Sequence, residues 1–263
     1  MFLLIIISTV ITALTVVFII GYIFIKGVPN LSLDLFSLKY SSSNQSMLPS
    51  IINTVYLTAL TLLLSVPIGI FSAIYLAEYS RKNSFFVKII NIANETLSGI
   101  PSIVYGLFGF LAFVISKKWG YSLLAGVITL AIMVLPLIIR TSQEAMLGVD
   151  NTFREASYGL GAGKLRTVFK IVLPSAMPGI LSGIILAIGR IVGETAALIY
   201  TAGTVPEAAT KLTSSSRTIS VHLYCLLNEG LYTEQAYATA VVLIVFVVII
   251  NALSNALAKK IMK

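Results

Sequence analysis

Long apolar runs separated by short polar segments dominate the pattern of this chain. Six runs reach the length of about 20 residues that a helix needs to cross a bilayer. A lone strand cannot satisfy its backbone hydrogen bonds in lipid, so each run is predicted to be α-helical. The pattern therefore predicts an all-α, polytopic membrane protein whose six transmembrane helices are Phe2–Ile25, Ile51–Ala77, Thr96–Ser116, Tyr121–Ile139, Ile180–Ala202 and Tyr237–Ala258.

Composition supports a single transmembrane domain over residues 1–263. Of these residues 57% are hydrophobic and 11% are charged, whereas a soluble domain carries about 25% charged residues. The nearest approach to a phosphate-binding P-loop is Gly161-Ala-Gly163-Lys164-Leu165, which lacks both a glycine at position 158 and a hydroxyl residue after the lysine. We therefore expect no bound cofactor or metal, and an energy source in another subunit or in a gradient.

The basic residues divide unequally between the two sides of the predicted helices. Eleven lie in segments on the side of the loop around Glu155, six lie on the other side, and Arg190 lies inside a span. Because lysine and arginine are enriched in cytoplasmic loops, this loop and both termini are predicted to be cytoplasmic. The predicted location is a bacterial or archaeal cell (inner) membrane.

The charged loop is itself patterned. Residues 152–160 can form a short helix, glycines at 159, 161 and 163 permit left-handed backbone, and a basic helix follows from Lys164 to Lys170 until Pro174 ends the loop. Small residues at 156 and 157 are expected to expose backbone to a close partner. Such a compact knob can dock on a soluble protein; the alternative is an ordinary basic loop that only sets topology.

Polar residues inside the spans mark candidate path-lining positions. Ser98, Ser102 and Tyr105 share one face of the predicted third helix. They line a water-filled path or form hydrogen bonds between helices. Arg140, at the end of the fourth span, is either an interfacial anchor or a residue of substrate exit.

The fifth span carries charge in its middle. Arg190 lies ten residues after Ile180, or about 15 Å along a helix, and Glu194 follows one turn later. The pair is either a structural ion pair or a charged element that faces the transport path, the usual role of ionisable residues within membranes. Two repeats, Gly179-x-x-x-Gly183 and Gly189-x-x-x-Gly193, predict close approach of neighbouring helices.

A helix outside the predicted spans is expected on the outer side, over residues 218–227. Ile219, Leu223, Leu226 and Leu227 recur at helical spacing. The segment is expected to be amphipathic and either to contact an extracytoplasmic partner or to cap the bundle. His222 is the single histidine of the chain, so a histidine-based metal cluster is excluded.

The charged loop resembles the cytoplasmic loop of ABC importer permeases, E-A-A-x-x-x-G-x(9)-I-x-L-P. The matching residues are Glu155, Ala156, Ser157, Gly161, Ile171, Leu173 and Pro174, with serine in place of the third small residue. The resemblance implies that this loop, about residues 141–176, couples the membrane domain to an ATPase. It also implies the MetI-like fold of type I importers, with a core at about residues 51–258.

Two further stretches, 99–109 and 189–203, resemble the phosphate-specific ABC importer permeases, and the second is more similar to their PstA-type half than to the PstC-type half. This resemblance implies a heterodimer with a PstC-like permease, a PstB-like ATPase dimer that uses ATP, and a PstS-like extracytoplasmic phosphate-binding protein. The intramembrane arginine and glutamate of that family match Arg190 and Glu194, and another arginine matches Arg140. A guanidinium is well suited to phosphate, and Glu194 is expected to moderate its affinity.

Two alternatives remain at this point. One is a permease for another oxyanion, such as sulfate, molybdate or phosphonate, or the PstC-type half of a phosphate system. The other is a gradient-driven transporter, a channel or an intramembrane enzyme. The chain has neither an H-E-x-x-H nor a G-x-S-x-G motif, which weakens the enzyme interpretation.

Overall fold

The computed structural model describes residues 2–80 and 85–261. Three basic residues of the predicted charge asymmetry, Arg81, Lys82 and Lys263, lie outside these ranges. Within the described residues the α-helices are α1 Phe2–Gly27, α2 Leu48–Ile74, α3 Phe85–Gly99, α4 Ser102–Gly109, α5 Leu123–Leu147, α6 Asn151–Gly159, α7 Lys164–Thr167, α8 Leu173–Gly193, α9 Ala196–Thr201, α10 Ile219–Glu229 and α11 Thr233–Ile261.

The predicted all-α class is confirmed, and residues 2–80 and 85–261 contain no strand. Five helices are long and apolar enough to cross a membrane by themselves. The predicted third span is different, because α3 and the helix from Ser102 to Ser116 meet at an angle of 102°. Six spans are reached only if this bent pair counts as one.

The core is built around α5, which packs against both α2 and α8. Leu57 of α2, Leu130 and Ile138 of α5, and Ile191 of α8 belong to one buried apolar cluster. The cluster continues into α4 and α9 through Tyr105 and Leu198. The two short helices are therefore part of the core, although neither is long enough to span a membrane.

Close approach of α5 and α8 depends on the first glycine repeat. A Cβ atom added to Gly179 would lie 2.6 Å from Ala145, and one added to Gly183 would overlap the Thr141 hydroxyl. The predicted role of this repeat is confirmed. The same prediction is wrong for Gly189 and Gly193 within this chain, because both have open space beside them.

The predicted outer helix forms, but it is not a surface helix. Ile219, Ser220, Val221, His222 and Leu226 of α10 are buried, and the helix packs against α2, α8, α9 and α11. The exposed side chains are fewer, with Leu227 at 57% exposure. The polar residues Ser220 and His222 are buried along with the apolar ones. Apolar spacing alone therefore predicted a polar, solvent-facing side that this helix does not have at these positions.

Asn53 of α2 holds the segment that precedes α10. Its side-chain amide donates to the carbonyl oxygens of Glu207 at 2.9 Å and Arg217 at 3.1 Å, and its side-chain oxygen accepts from the Ala209 amide at 2.8 Å. The neighbouring Thr54 hydroxyl accepts from the amide of Ile219 at 2.9 Å. Two adjacent residues of α2 thus position the outer loop and the start of α10.

Candidate functional site

Arg190 lies in the last turn of α8, three residues before that helix ends at Gly193. The predicted continuous span from Ile180 to Ala202 is therefore wrong, since the chain leaves the helix at Glu194 and starts α9 at Ala196. The guanidinium is partly buried and has no hydrogen bond or ion pair with any described residue. It lies within electrostatic range of Tyr105 on α4. The carboxyl end of a helix favours a cation, which suits this position.

Glu194 does not pair with Arg190. The described residues contain two ion pairs, Arg140–Glu144 and Arg154–Glu78. Glu194 is 8% exposed, and its side-chain oxygen accepts a hydrogen bond from the Ala197 amide at 3.0 Å. The reason is the helix break, which gives Glu194 an extended backbone and removes it from the helical face of Arg190. The carboxylate instead caps the first turn of α9.

The other side of this break is held by α10. The Ser220 hydroxyl donates to the carbonyl oxygen of Val192 at 2.6 Å, and the contact is fully buried. This carbonyl is one of the groups that a helix leaves unpaired at its end. Ser220 therefore connects the outer helix to the turn that carries Arg190. Sequence reasoning missed Ser220, because its partner is 28 residues away.

The predicted polar face of the third span is divided by the bend at Pro101. Ser98 belongs to α3 and is exposed, while Ser102 and Tyr105 belong to α4. The Tyr105 hydroxyl reaches back across the bend and donates to the Leu97 carbonyl at 2.7 Å. The three side chains thus do not share one helical face, and Tyr105 lies within electrostatic range of Arg190.

The two broken segments meet where α4 packs on α9. A Cβ atom added to Gly106 would lie 2.8 Å from the Cα atom of Ala197, and one added to Gly109 would lie 2.7 Å from the Thr201 methyl group. Ala197 is also the residue whose amide Glu194 caps. This close backbone contact therefore lies next to the break between α8 and α9 and holds it against α4, the helix that follows the bend at Pro101.

Arg140 borders a separate polar cavity between α3 and α5. Its Nε donates to Glu144 at 2.9 Å, and both side chains are more than half exposed. The cavity has a volume of about 200 Å³ and is lined by Asn91, Asn94, Glu95, Arg140, Gln143, Glu144 and Leu147. Because solvent screens so exposed a pair, it is weak, and another anion can displace the carboxylate.

The knob forms at the end of α5. Helix α6 begins after Asp150, whose carboxylate accepts from the Thr152 amide at 2.9 Å, and this hydrogen bond holds the pKa of Asp150 below its usual value. Gly161 has φ of +80°, as the predicted glycine elbow requires, whereas Gly159 and Gly163 do not have positive φ. Glu155 and Ala156 are exposed, and the tip carries Leu160 at 89% exposure.

Two parts of the predicted knob differ in the structure. Ser157 is 3% exposed and hydrogen-bonds with the Thr167 hydroxyl at 2.8 Å, so it closes the knob instead of exposing backbone. Pro174 does not end the second helix, because the helical path continues from Lys164 to Gly193. Ile171, Leu173 and Pro174 all lie on this continuous path.

A buried ion pair fixes the knob to the membrane bundle. Arg154 donates to Glu78 from Nη2 at 2.7 Å and from Nε at 3.1 Å, and it also donates to the Met146 and Val149 carbonyls. Both charged side chains are at most 13% exposed. Lys164 adds a contact 5.0 Å above the ring of Tyr79. The sequence contained no local signal for these pairs, since Arg154 and Glu78 are 76 residues apart.

This arrangement of a broken-helix core and an exposed knob is the fold of ABC importer permeases. A chain from the crystal structure of a bacterial alginate ABC transporter, in complex with an alginate pentasaccharide-bound periplasmic protein, superimposes with a TM-score of 0.71 at 17% identity, covering 100% of this chain and 94% of that one. A chain of the inward-facing MetNI methionine ABC transporter gives 0.62 at 17% identity, over 82% and 94%. The predicted MetI-like fold is confirmed.

Residues 65–263 match the family described as binding-protein-dependent transport system inner membrane component, and the chain belongs to this family. A phosphate transport system permease protein PstA from Pasteurella multocida is 35% identical over 86% of this chain and 81% of its own length. A probable ABC transporter permease protein, YqgI, from Bacillus subtilis is 32% identical over 88% and 84%. The predicted resemblance to PstA-type permeases is confirmed.

Proposed function

We propose that this chain is the PstA-type permease subunit of an ATP-driven phosphate importer. The observation that carries the proposal is Arg190, a partly buried guanidinium without a partner among the described residues, at the break of a core helix. Phosphate carries one to two negative charges, which the planar fork of a guanidinium matches. PstA proteins among the relatives support phosphate as the substrate.

Two arginines serve the substrate in this proposal. Arg190 receives phosphate in the core, near Tyr105, with Ser98 and Ser102 on the two sides of the neighbouring bend. Arg140 receives it on the side of the knob, after phosphate displaces Glu144 from the weak exposed pair. Because Glu194 caps α9, it does not compete directly for Arg190, and its contribution is to hold the turn that presents the guanidinium.

The knob transmits the motion of the ATPase. Leu160, Tyr158 and Glu155 present apolar and acidic groups to a PstB-like ATPase dimer. The buried pair of Arg154 with Glu78 then transfers a displacement of the knob to the end of α2. A PstC-like permease completes the path, and a PstS-like protein delivers phosphate at the opposite end. The excess of basic residues beside the knob supports a cytoplasmic position for it and for both termini.

Reconstitution tests the proposal. The four components, with ATP inside proteoliposomes, are expected to take up radioactive phosphate without inhibition by excess sulfate, molybdate or phosphonate. Preferential uptake of one of these anions would transfer the assignment to that substrate. Uptake that continues without the ATPase would contradict an ATP-driven importer altogether.

Two variants and one control test the coupling role of the knob. Gly161→Val should abolish uptake, because valine is strained at a φ of +80°, and Glu155→Lys should do so by reversing the charge of the docking surface. Gly159→Ala is the control, since it has neither positive φ nor a neighbour within 4 Å of an added Cβ. Wild-type uptake by Gly161→Val and Glu155→Lys together would remove the coupling role.

A further inference from the structure

A second arginine without a partner is buried in the segment between α9 and α10. Arg217 is 4% exposed, and no carboxylate of the described residues lies within 4.0 Å of its guanidinium. Arginine stays protonated in proteins, so burial leaves a full positive charge that is not neutralised. An unpaired buried charge is strongly destabilising, and such a group points to a missing counter-charge.

The position of Arg217 is fixed from several directions. Its amide donates to the Val205 carbonyl at 2.9 Å, and its carbonyl accepts from Asn53 at 3.1 Å. The guanidinium lies 4.7 Å from the ring centre of Tyr40, whose hydroxyl donates to Gln45 at 2.8 Å. The cation–π contact covers one face of the guanidinium and leaves its edge for other partners.

Two guanidinium nitrogens, Nε and Nη2, are fully buried and have no hydrogen-bond partner among the described residues. They form one edge of the fork, with two parallel N–H groups. This edge is suited to two oxygens of one oxyanion, and a spherical halide cannot use both donors in the same way. The unsatisfied pair therefore favours an oxyanion over chloride.

His222 lies against the same aromatic ring as Arg217, that of Tyr40, and can add a donor. Its ring is fully buried at an edge-to-face distance of 6.4 Å from Tyr40. Among the described residues neither ring nitrogen makes a hydrogen bond of full geometry, although the Gln45 backbone lies near enough to favour a proton on the ring. Burial, followed by the charge of Arg217, lowers the pKa of His222 to about 3. The imidazole is therefore neutral at physiological pH and keeps one N–H group to donate.

We propose that Arg217 and His222 form a buried site for a small inorganic oxyanion of the phosphate and sulfate class. The oxyanion accepts two hydrogen bonds from the Arg217 edge and one from His222, and it supplies the missing negative charge. The site joins the first outer loop, through Tyr40, to α10. It is distinct from Arg190 and does not depend on phosphate being the transported substrate.

Cys225 reports occupancy of this site. It is the single cysteine of the chain, it is partly buried, and it lies beside Arg217. Burial raises the pKa of the Cys225 thiol, while the Arg217 charge acts in the opposite direction. An oxyanion that neutralises Arg217 raises this pKa further and lowers the fraction of reactive thiolate.

The experiment measures maleimide labelling of this subunit in the assembled complex, by mass spectrometry, in gluconate buffers of equal ionic strength. Phosphate and sulfate are expected to slow labelling of Cys225 by about threefold to tenfold, since each unit of thiol pKa changes the thiolate fraction tenfold. Chloride at the same concentration should have no such effect. Arg217→Gln should abolish the protection, and His222→Gln should weaken it.

Two further variants separate this site from transport. Arg190→Gln should keep the protection even when uptake is lost, and Lys211→Gln, an exposed basic residue of the same loop, should also keep it. If Arg217→Gln does not assemble, Arg217→Lys keeps the charge without the fork and should raise the phosphate concentration for half-protection at least about tenfold. Equal labelling with and without phosphate, equal protection by chloride, or loss of protection in Arg190→Gln would each overturn the proposal.

Discussion

The core contains two helix breaks that are built in different ways. The first, at Ile100 and Pro101, joins α3 to α4, and the second, at Glu194 and Thr195, joins α8 to α9. The short helices that follow the two breaks pack against each other. The first break carries no charge, whereas the second carries Arg190 one turn before it.

The first break is made from residues close in sequence. Pro101 has no amide to continue the helix, and the Ile100 amide donates to the Leu97 carbonyl at 3.2 Å. The Tyr105 hydroxyl donates to the same carbonyl at 2.7 Å. All of these groups lie within nine consecutive residues, so the bend can form before the rest of the bundle assembles.

The second break depends on tertiary structure. Glu194 caps α9 from within the segment, but the Val192 carbonyl is satisfied only when Ser220 of α10 is in place. The geometry of the turn that carries Arg190 is therefore sensitive to the outer helix. The comparison indicates that the uncharged break is a fixed support and that the charged break is the one able to respond to the outer side.

The charge of Arg190 is the largest difference between the breaks. Arg190→Gln is expected to lower phosphate uptake roughly tenfold to hundredfold, because a hydrogen bond to a charged group contributes about 1.5–3 kcal/mol. Assembly should be unaffected, since no described residue loses an ionic partner. Initial uptake rates in proteoliposomes measure this, with Arg190→Lys as the variant that keeps the charge.

Glu194→Gln sharpens the same test. Glutamine keeps a side-chain oxygen for the Ala197 amide, so assembly and most uptake should persist. The double variant Arg190→Gln with Glu194→Gln should assemble and still fail to transport. Recovery of uptake in the double variant would indicate a structural ion pair after all and would contradict the role of Arg190.

The sequence predicted the helices better than their interruptions. Proline is tolerated in the first turn of a helix, so Pro101 is equally compatible with a helix start inside a longer span and with a sharp bend. Glu194-Thr195 contains no strong helix breaker, and the break there depends on Ala197 and Ser220. Helical spacing alone therefore placed Arg190 and Glu194 on one face, which the structure shows to be wrong.

The knob shows the same division between local and long-range signals. The helix after Asp150 and the elbow at Gly161 follow from capping and backbone preferences, and both were predictable. The partner of Arg154 is Glu78, which no spacing rule connects to it. Ser157 occupies the third small position of the motif, and that motif gives no indication that its hydroxyl bonds to Thr167.

Disrupting the contact between α4 and α9, which holds the two breaks together, should cause the next largest loss of uptake. Gly106→Val places side-chain atoms against the backbone of Ala197, where an added Cβ would lie at 2.8 Å. Overpacking of this kind costs about 1–3 kcal/mol, and uptake should fall along with the midpoint of thermal unfolding. Gly99→Ala is the control beside the first break, because no atom lies within 4 Å of its added Cβ. Equal midpoints for the two variants would show that the contact between α4 and α9 is not tight.

Removing either of the two hydrogen bonds that hold the second break should lower uptake less than disrupting the contact between α4 and α9. Glu194→Ala removes a helix cap, worth about 0.5–2 kcal/mol. Ser220→Ala removes one neutral hydrogen bond, worth about 0.5–1.5 kcal/mol. If both act on one turn, their effects on uptake should be less than additive in a double-mutant cycle. Thr239→Ala is the matched control, since that hydroxyl bonds only to its own helix. Additive effects would mean that Ser220 stabilises α10 without acting on the turn of Arg190.

The smallest effect is expected at the first break. Tyr105→Phe removes the hydrogen bond to the Leu97 carbonyl but keeps the ring in the core. The Ile100 amide remains bonded to the same carbonyl, so stability should fall by only about 0.5–1 kcal/mol. Uptake should stay within about twofold of wild type if this break is a fixed support. The readout is the ratio of uptake to the amount of assembled complex, which a purely structural loss leaves unchanged. A larger loss of uptake in Tyr105→Phe than in Ser220→Ala, at equal assembly, would reverse the comparison, because the first break would then be the one that governs Arg190.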